Sequence, residues 1–187
     1  MNLQPTITDG ELLKRIADGC EQSFVVLYRR ESPRVYRFAL RMCGSPEIAD
    51  EVTQEVFLFF LRNSTSFDAR KGALSSWLMG VARKFTLKVI ERDRRYLAVE
   101  DSDLEAGSGE DTLADLAHGE TLESLRSAVL ALPPPFREAV VLCELEEMSY
   151  EQAAAAMDCA IGTVRSRLHR ARALLREKLL AKAGCNS

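Results

Sequence analysis

The residues best suited to chemistry lie near the C-terminal end of the sequence, where Arg165, Ser166, His169 and Arg170 fall within six positions. At 3.6 residues per turn, this spacing groups them on one side of a helix. An arginine can hold O6 and N7 of guanine in a bidentate pair or hold a phosphate, and the first turns of a helix in the major groove reach the base edges first. The group therefore predicts contact with duplex DNA. The alternative is a solvated basic face on an ordinary surface helix, which the charges alone do not exclude.

The residues around this group predict the element that would position it. Ser149 and Gln152 have the spacing of a capping box, which starts a helix that Ala153–Ala156 continue. An interruption at Asp158–Ala160 precedes Gly162-Thr163, which opens a second, longer helix. Apolar residues occupy the opposite side of that helix and should pack on the preceding helices: Ile161, Val164, Leu168, Ala171 and Leu175. A capped short helix, a tight turn and a basic helix, in this order, favour a helix-turn-helix.

The first part of the chain, from about Cys20 to Tyr96, also predicts helices. Gly44-Ser45-Pro46 and the polar loop Asn63–Gly72 separate three apolar stripes with helical spacing. The stripes are Phe24, Leu27, Tyr28, Val35, Phe38 and Met42; Val52, Val56, Phe59 and Phe60; and Trp77, Leu78, Val81, Phe85 and Val89. No stretch alternates as a half-buried strand does. The fold class is therefore predicted to be all-α.

The charge of the chain is divided unevenly, although its net value is only −3. Residues 24–95 carry 14 lysines and arginines against 8 acids, whereas residues 96–125 carry nine acids and no lysine or arginine. An acidic segment that also contains Gly107-Ser108-Gly109 is typical of a flexible, extended linker. We expect two small helical domains, 20–96 and 121–182, joined by an acidic linker over 97–120. The basic parts at both ends indicate a polyanionic partner.

The second domain should begin with a helix near Thr121, because Leu122, Leu125, Val129 and Leu132 follow at three- and four-residue steps. Pro133-Pro134-Pro135 should stop that helix, since proline removes a backbone donor and clashes with the preceding turn. The next helix is predicted over Phe136–Glu146, with Val140 and Cys143 on its inner side.

Other site chemistry is not indicated by the sequence. Five scattered cysteines without a Cys-x-x-Cys pair, and only His118 and His169, predict no metal site. We interpret the cysteines as small buried side chains, with a redox role as the alternative. No nucleophile elbow or phosphate-binding loop is present, so we expect no enzymatic activity, no cofactor and no small-molecule substrate. Without a signal peptide or about 18 to 20 continuous apolar residues, we expect a cytoplasmic protein that does not insert into a membrane.

The C-terminal run MSYEQAAAAMDCAIGTVRSRLHRARALLREKL closely resembles region 4 of extracytoplasmic-function (ECF) sigma factors. Leu132-Pro133, followed by Phe136-Arg137-Glu138, resembles the start of that region. Ala49–Arg62 resembles the polymerase-binding helix of region 2, and the residues from Trp77 to Arg95 include stretches that resemble the segment which opens and reads the −10 promoter element. The resemblance extends over most of the chain. It implies a sigma factor that binds core RNA polymerase and promoter DNA.

The resemblance assigns three groups of residues. The −35 group consists of Thr163, Arg165, Ser166, His169 and Arg170. The −10 group consists of Arg70, Lys71, Trp77, Arg83 and Lys84. These residues lie in or after a loop at Phe67–Ala73 that would hold a flipped base. The polymerase-binding group, which would contact a coiled coil of the largest polymerase subunit, consists of Asp50, Glu51, Gln54, Glu55 and Phe57. A contact with the polymerase flap and an anti-sigma factor are also implied by the family.

Several alternatives remain open from the sequence. Lys84 and Lys88 stand where the family commonly has Ala-Arg-Asn followed by Asp, which favours contact with the DNA backbone. Trp77 has the pattern of a core residue as well as that of a stacking platform. The acidic linker suits either nucleic-acid mimicry or ordinary solvation. The alternative function is a two-domain helix-turn-helix regulator that does not associate with polymerase, although the first domain shows neither the strands nor the glycine-rich loop of a receiver or ligand-binding domain.

Overall fold

The computed structural model describes residues 8–64, 67–68, 70, 72–100 and 118–185, with side chains described as far as residue 92 and again over 122–180. These ranges contain α-helices, one π-helical segment and no strand, which confirms the all-α prediction for the described residues. The helices are α1 (Asp9–Ala17), α2 (Glu21–Cys43), α3 (Pro46–Asn63), α4 (Leu74–Glu100), α5 (His118–Leu130), α6 (Pro134–Val140), α7 (Tyr150–Met157) and α8 (Ile161–Cys185). The π-helical segment, Val141–Leu145, follows α6 directly.

The turn between α2 and α3 follows from its sequence. Gly44 ends α2 with a φ of 78°, and a Cβ at this position would lie 3.0 Å from the Leu130 side chain, so both backbone angle and space call for glycine. Ser45 then caps α3 by accepting a hydrogen bond from the backbone N–H of Ile48, and Pro46 occupies the first helical position. The two long helices of the first module therefore lie next to each other.

A helix that the sequence analysis did not predict precedes the first module. In α1 the Thr8 hydroxyl caps the backbone N–H of Glu11, and Leu12 is buried. The Arg30 guanidinium of α2 lies 2.7 Å from the Asp9 carboxylate and ties the two helices together. Helical structure therefore extends N-terminal to the predicted start at about Cys20, as far as Asp9.

The predicted acidic linker over 97–120 falls partly on helical backbone. Helix α4 continues to Glu100, and α5 begins at His118. The rest of that segment, residues 101–117, lies outside the described residues.

The second module differs from its prediction in two places. Along α5, Leu122 and Leu125 are 51% and 39% exposed, whereas Val129 is buried. Pro134 and Pro135 form the first turn of α6, where a missing N–H costs nothing, instead of standing between two helices. The continuous helix predicted over Phe136–Glu146 changes at Val141 into the π-helical segment.

The two modules pack against each other, and their buried residues form one continuous apolar core. Helix α7 lies across α4 at a point where both helices carry small residues. A Cβ on Gly80 would stand only 3.5 Å from the carbonyl oxygen of Ala156. Helix α2 also contacts α5, α6 and the π-helical segment. This docking brings the helix-turn-helix against the helix that carries the predicted −10 residues.

Candidate nucleic-acid interface

The capping box and the turn that orient α8 are both formed. The Ser149 hydroxyl accepts a hydrogen bond from the Gln152 backbone N–H at 3.2 Å, and the Ser149 N–H donates to the Gln152 side chain at 2.9 Å. Asp158 ends α7 in the left-handed region with a φ of 50°, and Ala160 accepts the first backbone bonds of α8. The short helix, turn and long helix of the sequence prediction are therefore present.

Helix α8 buries one side and exposes the other. Val164, Leu168 and Ala171 are buried. Leu175 is only partly buried, and Ile161 at the helix start is 36% exposed, so the predicted apolar side is narrower than expected. The predicted −35 residues Arg165, Ser166, His169 and Arg170 are all exposed, whereas Thr163 is half-buried.

Two contacts order the start of this exposed face. The Ser166 hydroxyl donates a hydrogen bond to the Thr163 carbonyl at 3.0 Å. The Arg165 guanidinium lies 5.8 Å from the centre of the Tyr150 ring, within range of a cation–π contact. Tyr150 stands at the beginning of α7, so this contact links the two helices of the motif.

The predicted −10 residues surround the start of α4. Trp77 packs among the rings of Phe59, Phe60 and Phe67, with centroids about 6 Å apart, which makes it part of an aromatic cluster. Lys84 is exposed on the next turns of α4.

The remaining −10 residues have different surroundings. Arg70 is exposed and lies 3.0 Å from the Asp68 carboxylate, whose hydrogen bond raises the pKa of Arg70. Arg83 is half-buried and forms an ion pair with Glu138 of α6. Lys71 lies outside the described residues.

The predicted polymerase-binding residues separate into two groups on α3. Asp50, Glu51, Gln54 and Glu55 are exposed on one side of the helix. Phe57 was predicted to share that surface, but it is only 3% exposed and packs edge-on against Tyr28 with ring centroids 4.7 Å apart. Its side chain faces α2 because it completes the apolar stripe between the two helices. The surface prediction for Phe57 is wrong in this arrangement.

Family comparisons agree with this two-module organisation. The profile of sigma-70 region 2 matches residues 27–96, and the profile of sigma-70 region 4 matches residues 122–175. The ECF RNA polymerase sigma-E factor of Escherichia coli (strain K12) is 33% identical to the chain over 186 residues, which cover 92% of this chain and 95% of that protein. The chain belongs to the ECF sigma factor family.

The alignments with two other relatives of this sigma factor cover different shares of those proteins. The ECF RNA polymerase sigma factor EcfG of Rhodopseudomonas palustris is 37% identical over 147 residues, 76% of this chain and 77% of that protein. The ECF RNA polymerase sigma factor SigE of Mycolicibacterium smegmatis is 35% identical over 156 residues and 82% of this chain, but the chain spans only 60% of that longer protein.

Two solved structures share the fold of this sigma factor. The sigma factor RpoE in complex with the anti-sigma factor NepR from Bartonella quintana has a TM-score of 0.68 at 26% identity, covering 84% of this chain and 97% of that one. CnrH in complex with the cytosolic domain of CnrY also has a TM-score of 0.68, at 23% identity and with 91% and 96% of the two chains covered.

Sequence reasoning missed the charged pairs that join the two modules of this sigma factor. Glu146, at the end of the π-helical segment, is nearly buried and lies 2.6 Å from Arg41, 3.4 Å from Arg37 and 3.5 Å from Arg34, all on α2. Arg34 and Arg41 also donate hydrogen bonds at 2.8 Å to the backbone carbonyls of Glu146 and Leu145. The four-residue and three-residue spacing of the arginines was visible in the sequence, but nothing local pointed to their acidic partner.

A second buried acid lies at the contact between α4, α6 and α8. Glu138 pairs with Arg83 of α4, and the Arg167 guanidinium lies 3.9 Å away on α8. Burial raises the pKa of Glu138, and the two arginines oppose that shift. Beside it, Arg137 donates to the backbone carbonyl of Met42 in α2 and, at 3.0 Å, to that of Leu132. Desolvation lowers the pKa of Arg137.

A groove of about 580 Å³ separates the start of α4 from α7. Phe67, Trp77 and Lys84 line it from the first module. Glu151, Gln152 and Asp158 line it from the helix-turn-helix. Within the described residues, no group of histidine, cysteine and acidic side chains has the arrangement of a metal site. None of the described helices combines the length and apolar character that a membrane span requires.

Proposed function

We propose that this ECF sigma factor binds core RNA polymerase and directs it to promoters, with α8 reading the −35 element. The observation that carries the assignment is the exposed row Arg165, Ser166, His169 and Arg170, backed by buried Val164, Leu168 and Ala171. A helix anchored on one side and polar on the other can enter the major groove, where each good bidentate pair discriminates by about 1–3 kcal/mol. Thr163 stands at the start of the row and supports its first turn.

The −10 element is assigned to the start of α4 and the loop before it. Arg70 and Lys84 supply positive charge near the aromatic cluster around Trp77. Lys71, the next residue after Arg70 in the sequence, belongs to the same predicted group but lies outside the described residues. A separated DNA strand needs stacking surfaces and basic contacts to offset a few kcal/mol of unstacking. Arg83, which pairs with Glu138 in this structure, is the remaining predicted member of this group.

The acidic side of α3 is assigned to core polymerase. Asp50, Glu51, Gln54 and Glu55 form an exposed surface suited to a basic helical partner, which the family finds in a coiled coil of the largest subunit. Region 4 would contact the polymerase flap. An anti-sigma factor is a further expected partner, since sigma factors of this family are regulated by such proteins.

This function requires no enzymatic chemistry of the chain, and transcription places it in the bacterial cytoplasm. No observation favours the alternative of a regulator that acts without polymerase. In the described part of the first module the helices form neither a receiver domain nor a cofactor-binding sheet.

The test is transcription in vitro with core polymerase and a promoter mapped for this protein. The double variant Arg165→Ala/Arg170→Ala should reduce specific transcription by at least about 30-fold, because two contacts of about 1–3 kcal/mol each are removed. Association with core polymerase, measured by co-purification, should remain unchanged. Arg126→Ala, which removes an exposed arginine of α5 in the same module, is the matched control and should transcribe normally.

Two results would contradict the proposal. If the wild-type chain binds promoter DNA tightly alone but never associates with core polymerase, it is not a sigma factor. If the double variant loses core binding and transcription together, α8 does not have the specific −35 role assigned here.

A further inference from the structure

The arginines along α8 contact different kinds of partner. The guanidinium of Arg167 lies 3.9 Å from the buried carboxylate of Glu138. The guanidinium of Arg165 instead lies over an aromatic ring, 5.8 Å from the centre of Tyr150. An ion pair with a carboxylate uses the N–H donors of an arginine, whereas a cation–π contact draws on its charge and leaves those donors available to another acceptor. Arg165 is therefore restrained in a way that is compatible with hydrogen bonding to a base.

Tyr150 itself has a well-defined position. It is the first residue of α7 and directly follows Ser149, whose two capping hydrogen bonds fix the start of that helix. Its side chain is half-buried and packs against the apolar core. A hydrogen bond to Glu144 raises the pKa of Arg172, and the nearby Tyr150 hydroxyl adds to this shift. The ring thus has partners both in the core and on α8, and it can serve as a fixed surface.

A second group at the start of α7 also acts on Arg165. Hydrogen bonds from its own backbone N–H and from the Ser149 hydroxyl lower the pKa of Glu151, and the positive charge of Arg165 lowers it further. The guanidinium therefore lies within electrostatic range of this carboxylate as well as over the Tyr150 ring. An arginine side chain has many rotamers, so these two attractions reduce the conformational entropy that is lost when it binds DNA.

The location of Arg165 on α8 suits contact with a base. It lies four positions after Ile161, the first residue of the helix, within the turns that approach base edges in a recognition helix. Ser166 and His169 are exposed beside it. A bidentate pair with guanine requires the guanidinium fork to be aligned with two acceptors of the base, so a fixed orientation favours that pair over others.

We propose that Tyr150 is a positioning residue for −35 recognition. Its ring orients the guanidinium of Arg165 toward a guanine, so that Tyr150 determines specificity at one base pair that it does not itself contact. This inference rests on the proposed −35 role of α8, but the contact between the two side chains can be measured without DNA.

The first experiment detects the contact in the protein alone. In an NMR spectrum, the side-chain Nε–H resonance of Arg165 is assigned by its disappearance in Arg165→Ala. The ring current of Tyr150 should shift this resonance upfield, and Tyr150→Leu should abolish the shift while keeping an apolar side chain against the core. Tyr150→Phe retains the ring and should retain most of the shift. Far-UV circular dichroism should show the same helix content in wild type and in both Tyr150 variants.

The second experiment measures specificity. Duplexes carrying the −35 element of a mapped promoter, with each base pair replaced in turn, are titrated by fluorescence anisotropy. Arg165→Ala should lose discrimination at one base pair. Tyr150→Leu should lower discrimination at that same base pair about threefold, in keeping with the strength of an exposed cation–π contact, and leave the other base pairs unchanged. Tyr150→Phe should discriminate nearly as well as wild type. A purely structural role, or a contact of Tyr150 with a phosphate, would instead weaken binding to all duplexes equally.

The third experiment is a double-mutant cycle on the unaltered −35 duplex. In an Arg165→Ala background, Tyr150→Leu should cause no further loss of affinity, because the side chain that it positions is absent. In an Arg170→Ala background, which is the matched control, Tyr150→Leu should still weaken binding about threefold.

Each outcome has a distinct meaning. Additive losses from Tyr150→Leu and Arg165→Ala, or an unchanged Arg165 resonance in Tyr150→Leu, overturn the positioning role. Tighter binding by Tyr150→Leu also overturns it, because the ring would then hold Arg165 away from DNA. If wild type shows no preference for any base pair, the −35 role of α8 fails and the positioning role fails with it, while the resonance still shows whether Tyr150 contacts Arg165.

A second substitution covers the case in which Tyr150→Leu does not fold. Tyr150→Met keeps a flexible apolar side chain without the ring and should give the same results as Tyr150→Leu in all three experiments. Loss of helix content in both variants would make Tyr150 a determinant of folding and would also overturn its role in specificity.

Discussion

At the scale of single residues, exposure separates the predicted DNA-binding arginines of α8 from Arg83 of α4. Arg165 and Arg170 project from α8 into solvent, whereas Arg83 is held by Glu138. The sequence showed which arginines lie on helices with a polar side, because that pattern is local. It did not show which of them are paired, because Arg83 and Glu138 are separated by 55 positions. The same limit explains Phe57, whose burial depends on Tyr28 of another helix.

The cysteines give a prediction at this scale. Burial raises the pKa of Cys143 to about 11, while a hydrogen bond from the Ser23 hydroxyl lowers the pKa of Cys20. Thiolates are the reactive form, so at pH 7.5 Cys20 should be alkylated well before Cys143. The rate for Cys20 should level off at a lower pH than the rate for Cys143, because its thiolate forms earlier as the pH rises. Iodoacetamide labelling followed by mass spectrometry of each peptide measures both rates.

The matched variant for that experiment is Ser23→Ala, which removes the donor to the Cys20 sulfur 3.3 Å away. It should slow alkylation of Cys20 at pH 7.5 and leave Cys143 unchanged. Faster labelling of Cys143 than of Cys20 in the folded protein would contradict both pKa directions.

At the scale of the elements, the sequence predicted the helix-turn-helix well because its signals are local. The capping box at Ser149 and the break at Asp158 are each formed by residues a few positions apart. Helix α1 was missed although Thr8 and Glu11 supply a cap, since a nine-residue helix offers few repeats of its pattern. The π-helical segment was also missed, because apolar spacing does not distinguish the two kinds of helix over five residues.

The capping box leads to a second prediction. Ser149→Ala should lower the free energy of unfolding by about 1 kcal/mol, because the N–H of Gln152 loses its acceptor. Helix α7 supports the buried side of α8, so the affinity for −35 duplex DNA should also fall. Thermal unfolding and fluorescence anisotropy measure the two effects. Ser149→Thr keeps a capping hydroxyl and should lose much less of either; an equal loss would show that the hydroxyl is not the cause.

At the scale of the whole molecule, the docking of the two modules was not predictable from the sequence. Glu146 is separated from Arg34 by 112 positions and from Arg41 by 105, and no periodic pattern connects residues so far apart. The sequence did predict that charge is divided along the chain, and this division remains the best guide to how the molecule behaves toward DNA.

The division of charge gives a third prediction. The net charge is −3, yet the surface assigned to −35 DNA is locally basic. If local charge controls binding, raising the salt concentration from 50 to 200 mM should weaken binding of a −35 duplex by about 100-fold, as expected for about four phosphate contacts. If the net charge controlled it, salt would screen a repulsion and strengthen binding. Anisotropy titrations at several salt concentrations distinguish the two signs.

The bonds that Arg137 and Glu146 make to α2 also bear on how the chain folds. The helices of the first module are neighbours in sequence, whereas the bond from Arg137 to Met42 closes a loop of 95 positions. Contacts between residues so far apart in the sequence form late in folding, because closing the loop costs chain entropy before the contact stabilises the structure. Domains made first on the ribosome also fold first. We therefore expect each newly synthesised molecule to pass through an interval in which α2, α3 and α4 are already packed together while the second module has not yet docked on α2.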